Sequence, residues 1–319
     1  MFTELLTPQH YGKDRLDLNM ASIPPFSLPG RWFKGCLHVH STASDGNQTP
    51  QAVLDWYRSR GYHFLALTDH DVLSQGQAIA DDFVTLSAAE VEGIDPSSGL
   101  YHLVGLGLQK PPDIGPHQVL PIQEAIRRLR AVDGRVIVAH PYWSGQMSKD
   151  LLDLDGCLAM EIYNGGCEVD DGKGLSTVHW DDLWAAGRRP WGVAVDDAHW
   201  RHGDRDAGLG WVWVRASALT EEAILESLER GHFYASSGPQ ILDLQIEAEH
   251  GQVQVWCSPA AAIDFIGNGW YSRRVSAPEG QTLSQASYSL RKDQRYLRVA
   301  CRDAQGCWAW SNPISLAPG

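Results

Sequence analysis

From Trp32 onward, short apolar runs alternate with stretches whose apolar residues recur at helical spacing. Val53, Trp56 and Tyr57 follow Thr49-Pro50, which predicts a helix with Thr at its N-cap, Pro at its first position and Gly61 as its stop. A short strand over His63–Thr68 follows. Between Pro121 and Val132, Ile122, Ala125, Ile126 and Leu129 fall on one face of a second helix, stopped by Gly134. The run Val136–Ala139 then reads as a strand. A third helix over His179–Ala186 feeds another strand at Gly192–Val195. This β-α alternation predicts a parallel sheet or barrel.

After Gly238-Pro239 the period changes from helical to two. Ile241–Ile246, Val253–Trp256, Ala262–Ile266, Tyr296–Cys301 and Trp308–Trp310 alternate apolar and polar as half-buried antiparallel strands do. Gly267-Asn268-Gly269 is a turn signal between two of them. The expected organisation is an irregular lead-in over residues 1–33, an α/β unit over 34–238 and a small, sandwich-like all-β domain over 239–319.

Composition narrows the class. The chain has 319 residues, 43% hydrophobic and 20% charged, as a soluble globular protein does. A formal net charge of −13 argues against a binder of nucleic-acid polymers, which usually carries a basic face. Arg127-Arg128-Leu129-Arg130 reads as a solvated helix face. The six cysteines form no Cys-x-x-Cys pair, so buried thiols in a reducing compartment are the simplest account. No signal peptide and no apolar run of membrane-spanning length is visible, so a cytoplasmic location and no membrane partner are expected. Most of the 13 tryptophans read as bulky packing.

The candidate chemistry lies at the ends of the apolar runs. His38-Val39-His40 projects two imidazoles to one side of an extended strand, and Asp45 follows five residues on. His70 follows the run at 63–69, Glu90 follows Phe83–Ala89, and His102 opens the run at 102–108. His140 closes the strand after Gly134, and Asp197-Ala198-His199 closes Trp191–Asp196. Satisfied core histidines do not normally recur at strand ends together with carboxylates. In a barrel of parallel strands those ends converge on one mouth, which points to a multinuclear metal site.

Together, His38-x-His40, Asp45, Thr68-Asp69-His70, Glu90, His102, Ala139-His140-Pro141 and Asp197-x-His199 resemble the PHP (polymerase and histidinol phosphatase) metallohydrolase family over roughly residues 34–235. The resemblance implies a distorted seven-stranded β/α barrel with a trinuclear centre in its mouth. It implies that His38, His40, Glu90 and Asp197 hold one metal. Glu90 then bridges to a second, completed by His102 and His140, and Asp45, His70 and His199 hold a third. Some members have His at the position of Asp45; a carboxylate there favours Mn²⁺ or Fe beside Zn²⁺. Glu92 competes with Glu90 for the bridge, and Asp196 with Asp197; register with the family motif favours Glu90, and the one-residue spacing to His199 favours Asp197. Phe233–Pro239 and Trp310–Ile314 resemble a two-domain branch of the family that includes carbamate hydrolases.

The implied reaction is hydrolysis of a small phosphate mono- or cyclic diester by a metal-activated hydroxide, with two or three divalent ions as cofactors and a small anionic substrate as partner. Carbamate or carboxylic ester hydrolysis at the same centre is the alternative, and a non-catalytic metal-binding scaffold a third reading. His199, Asp69 and Asp71 are candidates to protonate the leaving group, with Asp69 also suited to orienting a ligand. Arg201 and Arg205 are candidate phosphate clamps or surface ion-pairing groups. Tyr142, Trp143 and Asn164 follow strand ends and are expected to shape the pocket. His117, His179, His202, His232 and His250 have no motif support. The sequence leaves oligomeric state open.

Overall fold

The computed structural model describes residues 24–115, 117–247 and 250–316. Most of the predicted lead-in therefore lies outside the described residues. A 3-10 turn at Pro25–Ser27 precedes β1 (Arg31–Cys36), α1 (Pro50–Ser59), β2 (Phe64–Ala66), β3 (Gln77–Ala80), β4 (Phe83–Leu86), β5 (Ala88–Asp95) and β6 (Gly99–Leu106). Next come β7 (Leu120–Pro121), α2 (Ile122–Arg130), β8 (Arg135–Val138), α3 (Ser148–Leu152), β9 (Cys157–Asn164), α4 (Gly165–Asp171), α5 (Thr177–Ala185) and β10 (Trp191–Val195). β11 (Trp211–Ala216), α6 (Glu221–Glu229) and β12 (Phe233–Ser236) lead into β13 (Ile241–Glu247), β14 (Gln252–Ala260), β15 (Ala262–Gly267) and β16 (Ser272–Ser276). The chain closes with β17 (Leu283–Ser289), β18 (Tyr296–Arg302), β19 (Trp308–Ser311) and β20 (Ile314–Ser315).

The three helices predicted from the sequence form as α1, α2 and α5, the first two for the reasons given. Thr49 Oγ1 accepts from the Ala52 amide at 3.3 Å and caps α1. α2 buries Ile122, Ala125, Ile126 and Leu129, and Gly134 closes its end with an amide bond to the Leu129 carbonyl. No helix among the described residues is long and apolar enough to cross a membrane.

The strand topology differs from the expected seven-stranded β/α barrel. The strands divide into sheets, and the protein is sheet-rich with few helices. One eleven-stranded sheet runs β16-β15-β18-β19-β12-β11-β1-β2-β4-β3, with β20 beside β18; a six-stranded sheet runs β10-β9-β8-β6-β5-β7. β1, β2 and β4 are mutually parallel, as are β8, β9 and β10. β5 and β6 instead form an antiparallel hairpin, and β6 runs antiparallel to β8. Asp95 turns the hairpin by accepting from the Ser97 and Ser98 amides. The two sheets meet beyond the ends of their parallel strands. Val39 bridges Ala198, and His70 bridges Glu90, each in parallel sense.

The C-terminal strands form a sandwich-like layer whose second sheet is not its own. β13, β14 and β17 make a three-stranded sheet that shares a core with β15, β18 and β19, through Leu244, Val253, Val255, Ile263, Phe265, Leu297 and Val299. Those latter strands continue the large sheet through the β12–β19 pair. The buried Arg298 guanidinium forks onto Asp181 of α5 with two 2.6 Å bonds. Asn312 accepts from the Gly192 amide at 3.0 Å and donates to the Phe233 carbonyl at 3.1 Å.

Candidate metal centre

The parallel strands of both sheets deliver side chains to the place where the sheets meet. The tail of β1 carries His38 and His40, whose backbone is stitched to the tail of β10: the Asp197 amide donates to the His38 carbonyl at 2.9 Å, and the His40 amide to the Ala198 carbonyl at 3.0 Å. β2 leads to Asp69 and His70, β8 to His140, and β9 ends at Asn164. Glu90 does not end a strand, as the run Phe83–Ala89 suggested; Ser87 interrupts that run and Glu90 is the third residue of β5. His102 lies in the first half of β6, which runs against β8, so its start meets the end of β8. The Ala139 amide donates to the His102 carbonyl there at 3.0 Å. An antiparallel insertion thus brings a strand's beginning to a mouth built of strand ends.

Four buried side chains converge most closely. His38 Nε2 and His40 Nε2 are 3.1 Å apart; His38 Nε2 lies 3.2 Å from both Glu90 Oε2 and Asp197 Oδ1. His40 Nε2 lies 3.2 Å from Glu90 Oε2 and 3.1 Å from Asp197 Oδ1. Ligands about 2.0–2.2 Å from a tetrahedral cation stand about 3.3–3.6 Å from one another, so these spacings are near those of a donor set around one ion. Glu90 Oε2 and Asp197 Oδ1 are buried without a hydrogen-bond partner. Buried carboxylate oxygens are rarely left so, and a cation is the group that satisfies them. The residues present therefore fit a metal.

The other Glu90 oxygen faces a second group. Glu90 Oε1 is 3.0 Å from His102 Nδ1 and 3.7 Å from His140 Nε2, while His140 Nε2 is 3.8 Å from Asp197 Oδ2. Glu92 is half-buried and reaches His102 Nε2 only at 3.7 Å. On the opposite side stand Asp45, His70 and His199. Asp45 Oδ2 is 3.2 Å from His199 Nε2, and Asp45 Oδ1 is 4.0 Å from His70 Nε2 and 3.5 Å from His40 Nδ1. His40, Asp45, His70 and His199 form one group of mutually close donor atoms, and His70, Glu90 and His102 another.

Charges follow this geometry. Burial works to lower the His38 pKa, but the carboxylates of Asp197, Glu90 and Glu161 outweigh it and hold the imidazole well above its ordinary range. His40 behaves alike: against burial, Asp197 and Glu90 push it up to about 9. Burial acts to raise Glu90 and Asp197, yet the surrounding imidazoles hold both well below the usual carboxylate range. Partial burial likewise fails to raise Asp45, which His199, His40 and His70 hold low. A cation held by His38 and His40 would therefore compete with protons for their imidazoles.

Supporting residues explain the arrangement. Glu161, the single charged side chain in β9, is buried and was not picked out from the sequence. Its Oε1 is 2.6 Å from His38 Nδ1, and its Oε2 accepts from the His140 amide and from Asn164 Nδ2, both at 2.8 Å. Asn164 also donates to Asp197 Oδ2 at 3.1 Å. The signal was present: a carboxylate inside Cys157–Asn164, an otherwise uncharged strand. Asp196 faces away from this role. It accepts from the amides of Gly208, Leu209 and Gly210 and from Tyr57 Oη, and burial pushes it up to about 6. Of the six non-glycine residues with positive φ among those described, Asp71, His140, Asp197 and Trp200 lie in or beside the cluster, which concentrates backbone strain there. Gly46 closes the Asp45 turn so tightly that a Cβ would meet the His40 carbonyl carbon at 2.8 Å.

The remaining candidates separate. Asp69 accepts four hydrogen bonds from Ser41 and Ser44, backbone and side chain, so its oxygens are engaged in holding the loop that carries Asp45. Asp71 accepts from the His117 amide. Arg201 reaches Asp45 Oδ2 at 2.8 Å, whereas Arg205 donates to the Val169 carbonyl. Trp143 stands edge-on to His140, with ring centroids 4.9 Å apart. Tyr142 is exposed, its amide donating to Ser176 Oγ.

No family model matches the chain. A two-domain protein from Bacteroides vulgatus, described as containing a predicted PHP-like metal-dependent phosphoesterase, superposes with a TM-score of 0.50 at 14% identity, covering 92% of this chain and 96% of that one. The lesion-specific endonuclease EndoQ of Pyrococcus furiosus gives a TM-score of 0.42 at 14% identity, over 62% of this chain and 56% of that one. A phosphoribosyl 1,2-cyclic phosphate 1,2-diphosphodiesterase from Eggerthella lenta is 36% identical over 80 residues. That match spans 23% of this chain and 30% of the enzyme.

Proposed function

We propose that this chain, which is PHP-like in fold, is a metal-dependent phosphoesterase acting on a small phosphate mono- or cyclic diester. The observation that carries the proposal is the convergence of His38 Nε2, His40 Nε2, Glu90 Oε2 and Asp197 Oδ1, with both carboxylate oxygens buried and unpartnered. When bound, divalent cations there would acidify water and offset the charge of a phosphoryl group.

This chain's own residues divide the remaining work. Glu90 presents one oxygen to the His38–His40 group and the other to His102 and His140, which suits it to bridge two cations. Asp45, His70 and His199 offer a third position. Asp197 serves the first group through Oδ1 and is oriented by Asn164 through Oδ2. His199 Nδ1 lies 2.9 Å from the Asp197 carbonyl, which leaves Nε2 facing the mouth as a ligand or as a proton source for the leaving group. Asp69 acts as a positioning residue, since its oxygens are engaged by Ser41 and Ser44. Arg201, beside Asp45, is suited to an anionic substrate; Arg205 is engaged with the Val169 carbonyl, and Tyr142 is exposed. The working unit is assigned to residues 34–238, and the reading includes a small anionic substrate, two or three ions of Zn, Mn or Fe, and a cytoplasmic setting.

Carbamate or carboxylic ester hydrolysis is the second reading. It is favoured by the engagement of Asp45 with Arg201, because two cations suffice for attack at a carbonyl carbon. The test is a screen of the metal-loaded protein against aryl phosphates, cyclic phosphodiesters and aryl carbamates. Metal-dependent phosphate release is expected; turnover of carbamates alone overturns the primary reading.

A further inference from the structure

The three groups around Glu90 are unequal, and Arg201 sits at the weakest of them. Around His38 and His40 the donor atoms stand 3.1–3.2 Å apart in a buried setting. Around Asp45 the spacings open to 3.2–4.0 Å, and the Asp45 side chain is 41% exposed. One Asp45 oxygen, Oδ2, serves both His199 Nε2 at 3.2 Å and the Arg201 guanidinium at 2.8 Å. Arg201 is half-exposed and its guanidinium is always charged, so it brings a fixed positive charge to the carboxylate on which a third cation depends.

We propose that Arg201 is a built-in competitor of the third cation: it pairs with Asp45 when that position is empty and must leave Asp45 Oδ2 for a metal ion to bind there. The inference rests on the metal-centre reading above. In it the protein carries a two-cation core fixed by buried residues and a third position whose occupancy is set by an exposed side chain. An anionic substrate that draws the guanidinium toward itself frees the carboxylate, so phosphate and the third cation are expected to help each other bind.

Competition is the physical consequence of charge. The guanidinium must give up its 2.8 Å contact with Asp45 before a cation takes Oδ2, so removing it is expected to raise third-position affinity about tenfold. The two inner positions would be held by His38, His40, Glu90, His102, His140 and Asp197, none of which hydrogen-bonds or ion-pairs with Arg201, and they are expected to be indifferent to it.

The experiment is calorimetric titration of the metal-stripped full-length protein with Mn²⁺, with bound metal counted independently after gel filtration. Wild type is expected to take two tight equivalents and a weaker third. Arg201→Gln should tighten the third about tenfold and leave the first two unchanged, Arg201→Lys should lie between them, and Asp45→Asn should lose the third equivalent in either background. Superposed third-site isotherms for wild type and Arg201→Gln overturn the inference alone. Wild-type protein that takes up no Mn²⁺ overturns the metal-centre reading and this inference with it.

Discussion

The two ends of the candidate metal centre are built on different principles. At the inner end, His38, His40, Glu90 and Asp197 are buried, their donor atoms are evenly spaced, and Glu161 and Asn164 hold them from behind. At the outer end, Asp45 lies on a turn, His70 and His199 are partly exposed, and an arginine shares the carboxylate. Burial makes the inner group costly to leave without a cation, since its carboxylates have no water to turn to. The outer group has that alternative. Affinity is therefore expected to be fixed by the core at one end and adjustable by surface side chains at the other.

The largest effect is expected on removing the carboxylate that the two inner groups share. Glu90→Ala should abolish the two inner cation sites and lower turnover about a thousandfold or more, with the fold retained, because β5 is held by its pairing with β6. Metal content and circular dichroism on the same sample check both halves. Next comes the support behind the inner group. Glu161→Gln keeps the volume but loses the charge that orients His38, and inner-site metal affinity should fall about 10–100-fold. An unchanged affinity would mean that the imidazole holds its orientation without the carboxylate.

At the outer end, Asp45→Ala should remove the third cation and most phosphoesterase activity while leaving two cations bound. Full hydrolytic activity with two cations would move the carbamate or ester reading ahead. The smallest expected effect is in the pH dependence of stability, and its sign differs with and without metal. In the metal-free protein His40 titrates near 9 instead of near 6.5, so the folded state holds more protons than the unfolded state between those values. Metal-free stability should therefore fall as pH rises from about 6.5 to 9. A cation must displace the same protons, so the stabilisation on adding metal should grow over that window. Melting temperatures with and without Mn²⁺ across the range provide the check, and parallel trends would contradict it.

The sequence made the inner end legible and the supporting shell much less so. His-x-His on a strand has a bland reading by itself, but its recurrence with acids near the ends of other apolar runs marks these residues as candidates, and the structure brings them together. The distinction between Glu90 and Glu92 was open in the residues, since both occupy the same face of β5 two positions apart; only the pairing of β5 with β6 and the His70 bridge decides which one sits centrally. Glu161 went unnoticed because a lone acid within a strand has no spacing partner in sequence. The strand alternation suggested a parallel barrel because period alone does not report direction, and the antiparallel β5–β6 hairpin breaks it. Period two after Gly238 predicted the C-terminal strands, but not that β19 would continue the large sheet beside β12. Such long-range pairings leave no local trace.

Anomalous scattering from crystals of the Mn²⁺- or Zn²⁺-loaded protein would locate the cations themselves. One peak is expected about 2.0–2.3 Å from His38 Nε2, His40 Nε2, Glu90 Oε2 and Asp197 Oδ1, and a second between Glu90 Oε1, His102 and His140. Peaks centred on Glu92, or none within reach of Glu90 and Asp197, would contradict that placement.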